Sequence, residues 1–291
     1  MSSRGFLYAR LAAGIAAVSF GAVLVRLASE ASPLAITAWR LGLTAIVLIP
    51  LAIARGGLGR ISRRDLLWTV GSGVALALHF VLWITSLRHT SVASSVLFVT
   101  THPIFVGLGA HYVLKERLGR GLVVGIALAV LGGGLIGFGD LQLGGAAIRG
   151  DLLALGGGLA VAVYFLIGRR VRRNVSLLDY VAITYGTAAG LVLAACVVTS
   201  CPLAGFSSGT YLYLALLALG PQMIGHTTFN WALKHLQASK VSVMILAEPI
   251  GSSLLALLFF REVPTWPNAA GAVIILLGIY LSLRTKEASD E

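Results

Sequence analysis

Residues 89–136, HTSVASSVLFVTTHPIFVGLGAHYVLKERLGRGLVVGIALAVLGGGLI, and residues 235–282, HLQASKVSVMILAEPIGSSLLALLFFREVPTWPNAAGAVIILLGIYLS, read as two copies of one unit offset by 146 positions. His89 aligns with His235, Pro103 with Pro249, Glu116 with Glu262, Gly125 with Gly271 and Gly132 with Gly278. Each copy has an apolar run, a proline, more apolar residues, a glutamate beside a base and a Gly-bearing apolar helix. Such a period governs the reading of every local motif. If each copy holds an odd number of membrane spans, the second is inserted upside down, and inverted units bind solute where they meet.

Working outward, hydrophobic residues make up 57% of the chain and charged residues 11%, with a mean hydropathy of +0.91. A soluble domain carries roughly a quarter charged residues, so the composition excludes a water-soluble globule. At about 20 residues per span, 291 residues accommodate about ten helices with short loops. Ten apolar runs fit: 7–28, 33–54, 66–88, 92–114, 121–138, 151–168, 179–199, 210–233, 241–260 and 266–283. Lipid offers the backbone no partners, and the runs lack the alternation of barrel strands, so they are expected to be helical.

The net charge of +11 does not point to nucleic acid. With the N-terminus taken as cytoplasmic, 17 of the 22 Lys and Arg fall inside and four (Arg26, Arg88, Arg149, Arg261) outside, leaving Arg40 within a span. That is the asymmetry of the positive-inside rule. It predicts a multi-pass membrane protein with both termini cytoplasmic. Arg4 and Arg10 before an apolar stretch also fit a signal peptide, but removing that helix would leave nine spans and spoil the pairing. Cys196 and Cys201 are spaced poorly for a disulfide.

Five spans precede the loop at 139–150 and five follow it. The expected organisation is a first five-helix repeat over 1–138, a periplasmic connector over 139–150, a second, inverted five-helix repeat over 151–283 and a cytoplasmic tail over 284–291. Ala35-Ile36-Thr37 recurs as Ala182-Ile183-Thr184, and Phe20 in span 1 has an aromatic counterpart in Tyr164 of span 6.

Arg40, His102-Pro103 followed by Lys115-Glu116-Arg117-Leu118, Glu248-Pro249 followed by Arg261-Glu262, and the Gly-bearing fifth and tenth helices together resemble one family. The chain is similar to ten-helix members of the drug/metabolite transporter superfamily of the EamA type, over essentially its whole length. Within it, the resemblance is to the aromatic and hydrophobic amino-acid exporter (YddG-like) branch. It implies a protein of the bacterial inner membrane that exports small amphipathic metabolites such as amino acids or drugs. The chain departs from the family at His102, where relatives often carry an acid or a small polar residue before the proline.

Burying a charge mid-span costs about 2.5–3.5 kcal/mol, so ionisable residues in the runs are the first site candidates. His102 and Glu248 lie roughly 15 and 11 Å from opposite faces, at 1.5 Å per residue, of a core about 30 Å thick. Both therefore fall near the midplane, and each precedes a proline that frees a carbonyl one turn earlier. Glu248 reads either as a cavity residue or as a buried partner of Arg40. Arg40 cannot shed its charge, needs a permanent partner and is read as structural, with Pro103 and Pro249 as hinges.

Gln222, His226 and Asn230 share one helical face, as do Ser72, His79, Trp83 and Ser86. By repeat logic both stripes are expected to line one central cavity, although single polar residues more often join helices. Phe20 and Tyr164 are candidates for contacting an apolar substrate. Trp68 and Trp266 are assigned to the interfacial belt.

Gly132–Gly137 matches a dinucleotide fingerprint but lies inside an apolar span, where close helix packing is the better reading. Gly137-Phe138-Gly139-Asp140 resembles an intramembrane aspartyl-protease motif but lacks a second aspartate for the acid/base pair. No enzyme activity, cofactor, metal or nucleic-acid partner is expected. The expected partners are a small-molecule substrate, lipid and protons as a candidate coupling ion, acting on a monomer. Export of lipophilic cations is the alternative function, and an intramembrane enzyme or sensor the remote one.

Overall fold

The computed structural model describes residues 3–90, 95, 98–138, 145–261, 263 and 266–284. Among them the regular elements are all helical: α1 (Ser3–Leu27), α2 (Pro33–Ala54), α3 (Arg63–Ser86), α4 (His102–Tyr112), α5 (Arg120–Phe138), α6 (Gly145–Val171) and α7 (Leu177–Val198). α8 (Ser208–Leu217) continues through a π segment, Ala218–His226, into α9 (Thr227–Ala232), followed by α10 (Ala238–Ile245), α11 (Glu248–Phe260) and α12 (Trp266–Arg284). Boundaries follow the apolar runs closely, except that α6 begins at Gly145, inside the expected 139–150 connector. Residues 139–144, with the Gly139-Asp140 motif, and the tail beyond Arg284 lie outside the described residues, as do residues 92–94, 96 and 97 of the 92–114 run.

Among the described residues six helical stretches are long and apolar enough to cross a membrane: Gly5–Leu27, Pro33–Ala54, Arg63–Ser86, Ala147–Val171, Leu177–Val198 and Ala238–Phe260, the last comprising α10 and α11. The outward surface matches, with Ile46, Leu67, Val198 and Leu258 each more than two-thirds exposed. Apolar exposure on this scale suits lipid rather than water. Inside are aromatic and small residues, with Tyr164, Tyr180, Tyr185, Phe80, Phe165 and Phe229 fully buried. α3 packs on α6, α2 on α7, α5 on α12, and α1 on both α11 and the π segment.

Helix termini recur in pairs. Ser32 before α2 and Ser176 before α7 adopt extended backbone (φ −66°, ψ 158° and φ −61°, ψ 157°), and their hydroxyls accept from Ala35 N–H and Asp179 N–H. Ser62 before α3 and Ser207 before α8 cap in the same way, accepting from Asp65 N–H and Thr210 N–H. These are serine N-caps, which satisfy amides the helix leaves free. Lys115 and Arg261, 146 positions apart, both have φ of 58°, a left-handed conformation uncommon for non-glycine residues.

α5 and α12 meet through glycine. A Cβ on Gly125 would lie 2.6 Å from the Gly278 carbonyl oxygen, and one on Gly132 2.6 Å from that of Gly271. Since 125 meets 278 and 132 meets 271, the two helices run antiparallel. Only glycine allows such an approach, the use of small residues seen at close membrane-helix crossings.

Cys196 and Cys201 are free thiols. Ser200, at φ 51°, ends α7 in the left-handed conformation, the Cys201 amide bonds back to the Cys196 carbonyl, and the Cys201 sulfur lies 3.0 Å from the Ser32 hydroxyl. Trp68 and Trp266 are 38% and 78% exposed, an exposure compatible with an interfacial belt.

Candidate functional site

The site grows out of two interrupted helices. Pro249 lacks the N–H that would bond the Ile245 carbonyl, and its ring crowds that same carbonyl. α10 ends at Ile245 and α11 restarts at Glu248, through i→i−3 bonds from Leu246 N–H to Val243 O and Ala247 N–H to Met244 O. Pro103 does the same at the start of α4, and the linking residues match: Thr101 at φ −71°, ψ −7° and Ala247 at φ −72°, ψ −15°. The carbonyl released by Pro103 belongs to Val99, and the His102 ring takes it through Nδ1 at 3.1 Å. Each break thus puts a polar side chain, His102 or Glu248, in the first turn of a half-helix.

Both side chains line one cavity of about 50 Å³, together with Arg40, His79, Trp83 and His226. Phe80, Phe165 and Phe229 supply aromatic wall. At about 10–15 Å³ per water, that is room for a few water molecules, so an amino-acid-sized solute requires the helices to separate. His79 stacks parallel to Trp83 (centroids 6.2 Å apart) and donates from Nδ1 to the Gly157 carbonyl at 2.9 Å. His226 is ringed by Phe80, Phe229, Tyr164 and His79 at 5.1 to 6.3 Å. His102 Nε2, His226 Nδ1 and Trp83 Nε1 are buried without hydrogen-bond partners.

Arg40 is 2% exposed. Its Nε donates to Gln222 Oε1 at 2.8 Å and its guanidinium carbon sits 3.9 Å from the centre of the Phe80 ring. Its hydrogen-bonded partner is therefore a neutral amide rather than Glu248, which faces the same cavity without closing an ion pair with it.

Several expected positions differ. Of Gln222, His226 and Asn230 only His226 lines the cavity; the wide π turn at Ala218–His226 changes the angle between Gln222 and His226, whereas Asn230 lies one α-helical turn further on and is drawn to the tyrosines behind the wall. Pro221 inside that segment supplies no N–H, which the wider turn accommodates. Asn230 instead donates to the Tyr164 and Tyr185 hydroxyls. Tyr164 is fully buried behind the wall, and its neighbour Phe165 faces the cavity. Phe20 is 38% exposed on the outer face of α1, while Val18, two residues or about 200° away, lines the cavity. Ser72 and Ser86 join helices, bonding Tyr180 and Ser95. Gln222 as the arginine's holder and Phe80 beneath it escaped sequence reasoning; the one available signal was Phe80's place beside His79.

Beside α4 and α6, Arg169 donates to Glu116 Oε1 at 2.8 Å and to the carbonyls of Leu233 and Lys234 at 2.9 and 3.3 Å. One guanidinium thereby joins three separate segments.

The model of the EamA-like transporter family matches residues 3–138 and, a second time, residues 148–284. The chain belongs to the EamA-like transporter family. It is a multi-pass membrane protein with a transporter's role. An uncharacterized transporter of Archaeoglobus fulgidus is 30% identical over 88% of this chain and 90% of its own. The uncharacterized transporter YyaM of Bacillus subtilis is 24% identical over 85% and 83%. Human solute carrier family 35 member G1 is 23% identical over 94% and 76%. A solved crystal structure superposes with a TM-score of 0.78 at 22% identity, covering 94% of this chain and 96% of that one, a likeness of fold. Among the described residues no group of three or more His, Cys, Asp or Glu is arranged to hold a metal.

Proposed function

We propose that this EamA-like protein exports hydrophobic or aromatic amino acids across the bacterial inner membrane, by alternating access between two inverted five-helix halves. The halves are residues 1–138 and 151–283, joined by a periplasmic connector at 139–150, with the N-terminus and the 284–291 tail cytoplasmic. Ten spans follow if the pieces around each proline break, and around the π segment, are counted as single crossings. The doubled family match, the paired serine caps, the matched breaks and the antiparallel crossing of α5 on α12 support the inversion.

The observation that carries the substrate reading is the cavity itself. It combines three phenylalanine rings with one fixed cation, one carboxylate and three histidines. Aromatic walls suit an apolar side chain, and a few placed polar groups suit a small charged head. A buried arginine in the same cavity weighs against lipophilic cations. The direction of transport is carried by the family resemblance. Purified protein in liposomes should move labelled phenylalanine or tryptophan with saturable kinetics. If protein-free liposomes match that flux, the reading fails.

A further inference from the structure

The polar atoms of the cavity separate by chemistry. Arg40 has N–H donors and no acceptor; its Nε is taken by Gln222, while its terminal amino groups have no hydrogen-bond partner among the described residues. Trp83 Nε1 is likewise a donor only, buried and unpartnered.

Facing these are acceptors. A carbonyl cannot donate, so His79 Nδ1 on Gly157 O and His102 Nδ1 on Val99 O must each carry the proton. In the neutral rings this leaves both Nε2 atoms with a free lone pair. The His102 one is buried without a partner. Ionised Glu248 adds a carboxylate, which only accepts.

Arg40 keeps its charge wherever it is buried, and a buried charge is costly without a counter-ion. Glu248, the carboxylate facing it across the cavity, acts on it only from beyond ion-pair distance, since no carboxylate among the described residues lies within 4.0 Å of it. We propose that Arg40 is the anchor for a ligand carboxylate and that Glu248, with His102, receives the ligand's ammonium. The cavity then takes α-amino monocarboxylates in one orientation, with the side chain against the phenylalanine wall. This deepens the exporter reading and rests on it for the ligand class.

The test uses the full chain in detergent and three probes: L-phenylalanine, 3-phenylpropionate (carboxylate alone) and phenethylamine (ammonium alone). Arg40→Lys should weaken binding of phenylalanine and 3-phenylpropionate about tenfold or more, through loss of the planar donor fork, and leave phenethylamine unchanged. Glu248→Gln should weaken phenylalanine and phenethylamine and spare 3-phenylpropionate. A purely structural arginine would not give this crossed pattern. Equal weakening of all three probes by Arg40→Lys overturns the assignment. So does wild-type protein that binds phenethylamine as tightly as phenylalanine, or binds neither carboxylate; these measurements need no variant to fold. The crossed pattern without saturable phenylalanine flux would leave the anchor standing and remove the exporter reading. Flux without the pattern would do the reverse.

Discussion

Arg40 brings a permanent charge to the centre of the helix assembly, and Gln222 orients it. A hydrogen bond to a charged group is worth about 1.5–3 kcal/mol, so Gln222→Leu should lower the stability of the protein by roughly that amount, read by thermal unfolding in detergent. Gln222→Glu would place a carboxylate on the guanidinium; it should restore stability and weaken 3-phenylpropionate binding, because the anchor is then filled from within. Side chains of this kind are only partly legible in sequence. The cost of a mid-span charge singles out Arg40, His102 and Glu248 from the order of residues alone. Which neighbour meets Arg40 depends on the rotation of a helix containing a π turn, and the spacing of Gln222, His226 and Asn230 does not encode that turn. Phe20 shows the same limit: a shift of two residues turns a side chain from the cavity to the lipid.

At the scale of the element, the break between α10 and α11 sets the position of Glu248. Pro249→Ala returns an N–H that can bond the Ile245 carbonyl and removes the ring that crowds it. The two half-helices can then join, which carries Glu248 away from the cavity. Saturable flux should fall by about tenfold or more, while the melting temperature holds or rises; unchanged flux would detach the break from transport. The apolar runs and prolines predicted the elements and the interruptions because lipid dictates length and proline dictates where a bond is missing. They did not predict a narrow turn with i→i−3 bonds, since the partner of each freed carbonyl comes from the fold. For Val99 that partner is the ring of His102.

At the scale of the whole molecule, Arg169 ties the α4–α5 connection to the ends of α6 and α9. Removing one member of a fully buried ion pair costs about 3–5 kcal/mol, but Arg169 is 14% exposed and keeps two carbonyl acceptors. Glu116→Gln should therefore cost less, about 1–3 kcal/mol, with faster hydrogen exchange around residues 113–119 and 233–236. The repeat made this scale the most legible one: an offset of 146 anticipated equivalent glycines and proline breaks, though not the left-handed backbone shared by Lys115 and Arg261. It could not say that Gly125 would meet Gly278 rather than its own counterpart Gly271, because the pairing follows from how two antiparallel helices cross. That crossing also sets a schedule for biosynthesis. α5 leaves the ribosome on the order of ten seconds before α12 at about 5–20 residues per second, and until then its glycine face lacks the helix it packs against in the finished bundle. Closure of the α5–α12 seam thus waits for α12, and a chain cut short before Trp266 would leave Gly125 and Gly132 without the carbonyls they pack against.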